Sequence, residues 1–217
     1  MSRILVILFI AFLPHGFVAA GGVAVGNGGN IARCATKSNY QSLDYMLTKG
    51  MYGKRVSISP IKSLNQSFQR ILNLILQKFP KRQESFREFV GLVRNRDESK
   101  QYVWHIATDG LDSILELDVH LPFLCRSNFG STDILQAVVR EKPDSSGQII
   151  FDYDQNIFLT LEKDDPLQLS FLLVHEWLWN FFADIEQVRK VNYFLHSSLF
   201  DELSPSESFL ELNRLGL

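Results

Sequence analysis

The sequence predicts an α+β domain, because its apolar residues change their spacing twice along the chain. Between positions 61 and 79 they recur every three or four residues, as on one face of a helix. Between 102 and 153 they alternate with polar residues, as in strands, and from 166 onward the helical spacing returns. Helices, a small antiparallel sheet and a buried C-terminal helical hairpin together make an α+β fold. No internal repeat or long linker interrupts this order, so we expect residues 21–217 to form one domain.

Residues 1–20 have the three-part pattern of a secretory signal peptide. Arg3 gives a positive start, an apolar run occupies positions 4–13, and small residues precede a cleavage point before Gly21. The apolar run is too short to span a bilayer, although an N-terminal membrane anchor is the alternative. We therefore expect an exported chain that ends in the periplasm or outside the cell.

The charge balance argues against a nucleic-acid partner. The chain has 22 Lys and Arg against 24 Asp and Glu, a formal net charge of −2. Removing Arg3 with the signal peptide makes it −3 (−2 minus 1), so no basic surface favours nucleic acid. No later apolar run is long enough to span a membrane. The partner itself is not indicated by the sequence.

Two cysteines remain after the signal peptide, Cys34 and Cys125. An exported chain meets an oxidising compartment, where an even number of cysteines usually forms disulfides. Closing a loop of about 90 residues would stabilise the fold by roughly 4–5 kcal/mol. Metal binding is the alternative, but two isolated cysteines lack the spacing of a zinc site. We expect a Cys34–Cys125 disulfide.

The first part of the mature chain is glycine-rich. Residues 21–30 lack the glycine spacing that binds phosphates, so we expect a mobile N-terminus that leads into a short strand at 31–36. Apolar residues at helical spacing predict a short helix over 42–50, closed by Gly50.

Two longer amphipathic helices follow. Ser59 and Pro60 predict the N-cap and the first position of one helix, which Pro80 interrupts. The next helix is expected over 83–96, and alternating charges at 94–100 indicate a solvated connection.

The alternating pattern predicts four strands, at 102–107, 115–121, 134–140 and 148–153. Asp109 and Gly110 suit a turn between the first two. The last two form the clearest hairpin, over 134–153.

Three helices are predicted at the C-terminus, over 166–182, from 184 to about 199, and from 205 onward. Asp164 or Asp165 caps the first, Asp184 the second, and Ser204 with Glu207 the third. The first of these helices is apolar around nearly its whole circumference, so it should be central and covered on several sides.

This central helix carries His175 and Glu176 among apolar neighbours. One interpretation is a zinc site, since a zincin metallopeptidase helix has two histidines four residues apart with a catalytic glutamate after the first. Glu176 would be that catalytic residue, but Trp179 occupies the second ligand position, so the resemblance is degenerate. The metal would need other ligands, namely His175, His196, and Asp152 or Asp154.

The interpretation we favour is structural. A buried charge without a partner costs several kcal/mol, so Glu176 needs a cation. Glu176 and Arg189 are separated from the turn at 183–184 by similar numbers of residues, so they should lie side by side on the two antiparallel helices. Asn192 should lie one turn further along the second helix. His175 would donate to a backbone carbonyl or to Asp152. These four residues on the two helices, His175, Glu176, Arg189 and Asn192, would form one buried network.

Several short motifs stand in order along most of the mature chain: Gly26-Asn27-Gly28-Gly29, Leu43-Asp44-Tyr45, Leu121-Pro122, Cys125, Gln136, Asp152, residues 173–178, Arg189, Asn192 and Leu195-His196-Ser197. Together they resemble an uncharacterised family of exported proteins from predatory, Bdellovibrio-like bacteria. The resemblance implies export and a shared fold, and it implies no activity. Its positions include the cysteine, the hairpin aspartate and the proposed network.

Other chemistries have little support. No G-x-S-x-G motif is present for a serine hydrolase. A glycosidase pair could be drawn from Asp109, Asp112, Glu116 and Asp118, but Asp109 and Asp112 better suit a turn and the mouth of a hairpin. Two hypotheses remain. The first is an exported, non-catalytic domain without a cofactor, and the second is a divergent zinc-dependent hydrolase centred on His175 and Glu176.

Overall fold

A computed structural model describes residues 29–33, 40–49, 57–58, 60–95, 102–108, 111, 133–141 and 147–215. Of these residues 63% are helical and 20% are in strands, in small antiparallel and mixed sheets. The predicted α+β fold class is therefore confirmed. None of the helices within these ranges is long and apolar enough to cross a membrane.

Six strands and eight helices lie in the described ranges. The strands are β1 (Asn30–Arg33), β2 (Tyr40–Ser42), β3 (Tyr102–Ala107), β4 (Asp133–Gln136), β5 (Val138–Glu141) and β6 (Ile149–Asp154). The helices are α1 (Leu43–Thr48), α2 (Leu64–Lys78), α3 (Pro80–Asn95), α4 (Gln155–Asp164), α5 (Pro166–Leu178), α6 (Ile185–His196), α7 (Ser198–Glu202) and α8 (Pro205–Arg214).

The strands form two sheets of three rather than one antiparallel sheet. One sheet has the order β2-β1-β4 and is antiparallel, and the other has the order β3-β6-β5. In the second sheet β6 pairs antiparallel with β5 but parallel with β3, which the alternating sequence pattern did not indicate.

The predicted strand over 134–140 is broken at Ala137, so that β4 and β5 belong to different sheets. The Ala137 N–H donates to the Gly29 carbonyl at 3.0 Å, and the Ala137 carbonyl accepts from the Asp154 N–H at 3.0 Å. Gly29 precedes β1 and Asp154 ends β6, so Ala137 bonds towards one sheet through its N–H and to the other through its carbonyl. The chain therefore passes from one sheet to the other at this residue. The hairpin itself is correct for β5 and β6.

Side-chain caps explain where several helix ends differ from expectation. α2 begins at Leu64 rather than at Pro60, because the Ser63 side chain accepts the Gln66 N–H and caps the helix there. Pro80 does not merely interrupt α2, since it also opens α3. α4, which the sequence pattern did not indicate, follows β6 directly and is capped by Asp154.

The C-terminal helices agree more closely with the prediction. Asp165 caps α5, Asp184 caps α6, and Ser204 with Glu207 forms a capping box on α8. α5 ends at Leu178, a turn earlier than expected, and α6 ends at His196 before the separate short helix α7.

α5 is the central element of the core. Every residue from Gln168 to Leu178 is buried, and the helix packs against α1, α2, α4, α6 and β2. The main core cluster joins it to aromatic side chains of the other elements, including Phe68, Phe86, Phe151, Phe194 and Phe200. A helix that is apolar all round is expected to be covered in this way.

Several expectations fall outside the described residues. They are the signal peptide at 1–20, both cysteines of the expected disulfide, the strand at 115–121, the turn at Asp109 and Gly110, and the acidic residues Asp112, Glu116 and Asp118. Only the last two residues of the glycine-rich stretch are described, and there Asn30 is buried.

Candidate functional site

Asp44, in the first turn of α1, is the centre of the buried polar cluster. Its side chain is buried, and its Oδ2 lies 2.7 Å from His175 Nδ1 and accepts from Asn192 Nδ2 at 2.6 Å. Its Oδ1 lies 3.6 Å from Arg189 Nε. One carboxylate therefore joins a short helix near the N-terminus to both helices of the C-terminal hairpin.

The second ring nitrogen of His175 is also occupied. The Trp179 indole Nε1–H donates to His175 Nε2 at 2.9 Å. An indole N–H can only donate, so Nε2 must be the accepting nitrogen. The ring proton must then be on Nδ1, which donates it in a hydrogen bond to Asp44. Trp179, the residue that replaces the second histidine of a zincin helix, thus fixes the tautomer of the first.

Asp44 and His175 shift each other's pKa in the directions expected of an ion pair. Burial alone would raise the pKa of Asp44, but His175 and the bonds from His175 and Asn192 outweigh it and lower that pKa. Burial alone would lower the pKa of His175, but Asp44 outweighs it and raises that pKa. A second proton on His175 would have to sit on Nε2 and face the Trp179 N–H, so protonation requires that bond to break.

Asn192 connects the cluster to the backbone of the central helix. Its Nδ2 donates to the Phe171 carbonyl at 2.7 Å as well as to Asp44. The amide therefore links α6 to α5 and to α1 at one point. Asn192 is wholly buried, so these bonds replace those that water would give to Nδ2, whereas its Oδ1 has no hydrogen-bond partner in the described ranges.

Glu176 lies outside this cluster and faces the sheets. It is 0% exposed, and its Oε1 accepts the Gly29 N–H at 2.6 Å. A Cβ on Gly29 would lie 3.0 Å from Leu172 Cδ2 and 3.2 Å from Glu176 Oε1, so only glycine allows this approach without a shift. Burial raises the pKa of Glu176, against the opposing charges of His175 and Arg140.

Arg140 of β5 is the cation on the Glu176 side of the helix. Its Nη1 donates to the Glu176 backbone carbonyl at 3.2 Å and its Nη2 to Asn180 Oδ1 at 2.7 Å. The carbonyl is one of the last four of α5, where a cation is favourable. The second side-chain carboxyl oxygen of Glu176, Oε2, has no hydrogen-bond partner in the described ranges.

The predicted Arg189–Glu176 pair is therefore wrong, although Glu176 is buried as expected. Arg189 lies beside Asp44 instead. Consecutive residues of a helix point about 100° apart, so His175 and Glu176 face different neighbours. His175 faces α1 and α6, whereas Glu176 faces Gly29 and β5. The predicted network keeps His175, Arg189 and Asn192 around Asp44 and leaves Glu176 apart.

His196 belongs to a separate polar chain between α2, α5 and α6. Its Nδ1 donates to the Asn192 carbonyl at 2.9 Å, which leaves Nε2 to accept from Ser170 Oγ at 2.8 Å. Ser170 Oγ lies 2.7 Å from Ser67 Oγ. Burial lowers the pKa of His196 to about 3, so the ring is neutral at physiological pH.

The residues predicted to bind zinc do not converge. His175 and His196 each have both ring nitrogens in hydrogen bonds, and Asp152 Oδ1 lies 3.6 Å from His105 Nδ1 on the neighbouring strand. Asp154 accepts the Ile157 N–H as the cap of α4. Within the described ranges no group of three His, Cys, Asp or Glu is placed to hold a metal ion. The predicted set of ligands thus does not fit zinc in this arrangement.

Comparison with known proteins adds no assignment, because no protein-family model, characterised protein or solved structure matches this chain significantly. The description of the site therefore depends on its geometry alone.

Asp44, Gly29, Arg140 and Ser170 are part of the site, and the sequence predicted no role for any of them, although Asp44 and Gly29 stand in the motifs that resemble exported proteins. Asp44 lies 131 residues from His175 along the chain. In the sequence it is simply an acidic residue near a helix start, where the helix dipole favours it. Only its burial beside apolar Leu43 and Met46 distinguishes it, and burial on a six-residue helix is not readable from spacing.

Proposed function

We propose that the mature chain is an exported, non-catalytic domain whose buried polar residues hold its helices together, and that it acts through its surface. The observation that carries this proposal is the occupation of both ring nitrogens of His175 and of His196 by groups of the protein. A catalytic histidine needs a nitrogen that faces substrate, water or metal.

The burial of the cluster supports the same proposal. Asp44 and His175 are each 3% exposed and Glu176 is 0% exposed. A substrate could reach them only if α5 separated from its neighbours. Hydrogen bonding within the protein is the usual way in which buried polar groups are accommodated, and among these three residues only Glu176 Oε2 has no such partner in the described ranges.

The rival proposal, a divergent zinc-dependent hydrolase with Glu176 as its base, would require a rearrangement. His175 would have to release Asp44 or Trp179, and His196 would have to release Ser170 or the Asn192 carbonyl, before either could bind metal. Glu176 points to Gly29 rather than towards His196. No contact among the described residues favours this second function.

Export rests on the signal peptide and on the resemblance to exported proteins of predatory bacteria, and the Cys34–Cys125 disulfide belongs with it. N-terminal sequencing of protein from the extracellular and periplasmic fractions should begin at Gly21. If the disulfide is present, its reduction should raise the mass by that of two hydrogen atoms, because two electrons and two protons are added. Full-length protein retaining residues 1–20 in a membrane fraction would support the anchor instead.

The non-catalytic proposal is tested by elemental analysis of protein purified without a metal-chelating tag. We expect no stoichiometric zinc in the unmodified protein or in the variants His175→Ala and His105→Ala. His105 is a suitable control because its side chain is half exposed and lies beside Asp152. Near-stoichiometric zinc that His175→Ala loses and His105→Ala retains would overturn the proposal in favour of the metal site.

A further inference from the structure

A cavity of about 350 Å³ lies between the C-terminal end of α5 and helix α8. We call it the α8 cavity. Its lining consists of Ile75, Phe79, Arg82, Trp177, Leu178, Phe181, Phe182, Val191, Leu195, Phe209, Leu212 and Asn213. The volume is within the range of about 300–1,000 Å³ that is typical of small-molecule sites. None of the residues of the buried polar cluster lines it.

The lining is apolar apart from two residues. Among the described residues, Arg82 and Asn213 are its polar members and none of the lining residues is acidic. A cationic ligand would therefore find no partner. A bound peptide would bring several backbone amides into the cavity, and two polar side chains could not satisfy them.

Arg82 is an uncommitted cation at the wall of the cavity. Its guanidinium lies over the Phe181 ring, 4.3 Å from the centroid. In the part of the chain that the structure describes, no carboxylate lies within ion-pair distance of it. Glu84, the nearest acid along α3, pairs with Arg87. Arg82 is thus free to bind an anion while its stem remains on the aromatic wall.

The rim of the cavity is open on the side of α8. Phe209, one of the lining residues, is 59% exposed, and the adjacent Leu210 is 66% exposed. By contrast Leu178, Val191 and Leu195 at the inner end are buried. The cavity therefore has a buried apolar inner end and an apolar entrance, an arrangement that suits a flexible alkyl chain.

We propose that the α8 cavity binds a single-chain amphiphile with an acidic headgroup, of which a fatty acid is the simplest. The alkyl chain would lie against the apolar lining, and Arg82 would hold the carboxylate through charge-assisted hydrogen bonds. This site is independent of the proposed structural role of the buried cluster.

The experiment uses delipidated mature protein and three probes with the same alkyl chain: dodecanoate, dodecanol and dodecylamine. Binding is measured by calorimetry below the concentrations at which the probes aggregate or leave solution. Intrinsic tryptophan fluorescence, to which Trp177 in the cavity wall contributes, gives a second signal. We expect saturable binding of one dodecanoate, with dodecanol at least about tenfold weaker because it lacks the charge, and dodecylamine weaker still.

Two charge-reversal variants on α3 distinguish binding of the carboxylate at Arg82 from a general effect of charge on binding. Arg82→Glu should weaken dodecanoate at least about tenfold and leave dodecanol unchanged. Lys81→Glu changes the charge equally one residue away but does not line the cavity, so it should have little effect. Both residues are exposed, and unchanged melting temperatures would show that the variants fold.

A cavity-filling variant, Leu212→Trp, should abolish binding of dodecanoate and dodecanol alike. The proposal is overturned if dodecanoate does not bind saturably, if the three probes bind equally, or if Arg82→Glu and Lys81→Glu weaken dodecanoate to the same extent. It would also be overturned if the unmodified protein bound only longer peptides or vesicles and not the monomeric acid.

Discussion

The two sides of the C-terminal end of α5 differ in whether their side chains are accessible to a ligand. On one side His175 and Glu176 are buried and their contacts are with the protein itself, namely Asp44, Trp179 and Gly29. On the other side Trp177 and Leu178 line the α8 cavity, which opens towards solvent past Phe209. We propose that the polar side of this helix serves the fold and that the apolar side binds a ligand, which is the reverse of what a His-Glu motif suggests.

The largest expected effect comes from removing the central carboxylate of the polar side. Asp44→Asn should lower the free energy of unfolding by about 3–5 kcal/mol. The substitution removes the buried negative charge beside Arg189 and the carboxylate that accepts from His175 Nδ1 and Asn192 Nδ2. Chemical denaturation measures this directly.

Asp201→Asn is the matched control for that variant. Asp201 accepts from Arg70 Nε at 3.1 Å and from Nη2 at 2.6 Å, but its side chain is 40% exposed. An exposed pair contributes only about 0–1 kcal/mol. Equal losses in the two variants would contradict the central position of Asp44.

The pH dependence of His196 is the next largest effect. Its pKa is about 3 in the folded protein and about 6.5 when unfolded, so between these values only the unfolded chain takes up a proton. Stability from this group is complete above about pH 6.5 and falls by up to about 1.4 kcal/mol per pH unit as the pH drops towards 3. In His196→Gln that component of the slope should vanish. Parallel stability curves for the two proteins between pH 6 and 4 would show that His196 becomes charged in the fold.

Glu176→Gln should have a smaller effect than Asp44→Asn. An Arg189–Glu176 ion pair would have predicted a loss of about 3–5 kcal/mol. Since burial raises the pKa of Glu176 and only Oε1 has a partner in the described ranges, a neutral amide can replace most of its interactions. We expect a loss of about 1–2 kcal/mol. A loss as large as that of Asp44→Asn would indicate that the charge on Glu176 matters, with Arg140 as its partner.

The open side of the helix should tolerate substitution best. Phe209→Ser removes an exposed ring at the entrance of the α8 cavity, so the free energy of unfolding should change by less than about 0.5 kcal/mol. Thermal and chemical denaturation measure it. A loss above about 1 kcal/mol would mean that α8 closes over the cavity and that the two sides of α5 are more alike than described.

Local signals in the sequence predicted much of the fold. The Ser204 and Glu207 capping box, the Asp184 cap and the strand at 102–107 were each found where expected. The burial of Glu176 followed from the apolar residues around it. These features depend on neighbours within a few positions, which spacing and composition report directly.

Features that depend on distant parts of the chain were not predictable in the same way. The partner of His175 lies 131 residues away, on a helix of six residues. The break at Ala137 is set by bonds to Gly29 and Asp154, which no local pattern encodes. The sequence paired Arg189 with the wrong acid. The number of residues from the turn gives a residue's position along the helical hairpin, but it does not give the direction in which the side chain points around the helix.

The measurement that tests the central claim most directly is the protonation of the two ring nitrogens of His175, read by ¹⁵N NMR on protein purified without a metal-chelating tag. Because the Trp179 indole N–H occupies Nε2, the ring should carry a single proton. We expect that proton on Nδ1, bonded to Asp44, with Nε2 accepting from Trp179. A proton on Nε2 with Nδ1 bare, or a metal-bound nitrogen, would show that the cluster is open to other partners and would contradict its role as part of the scaffold.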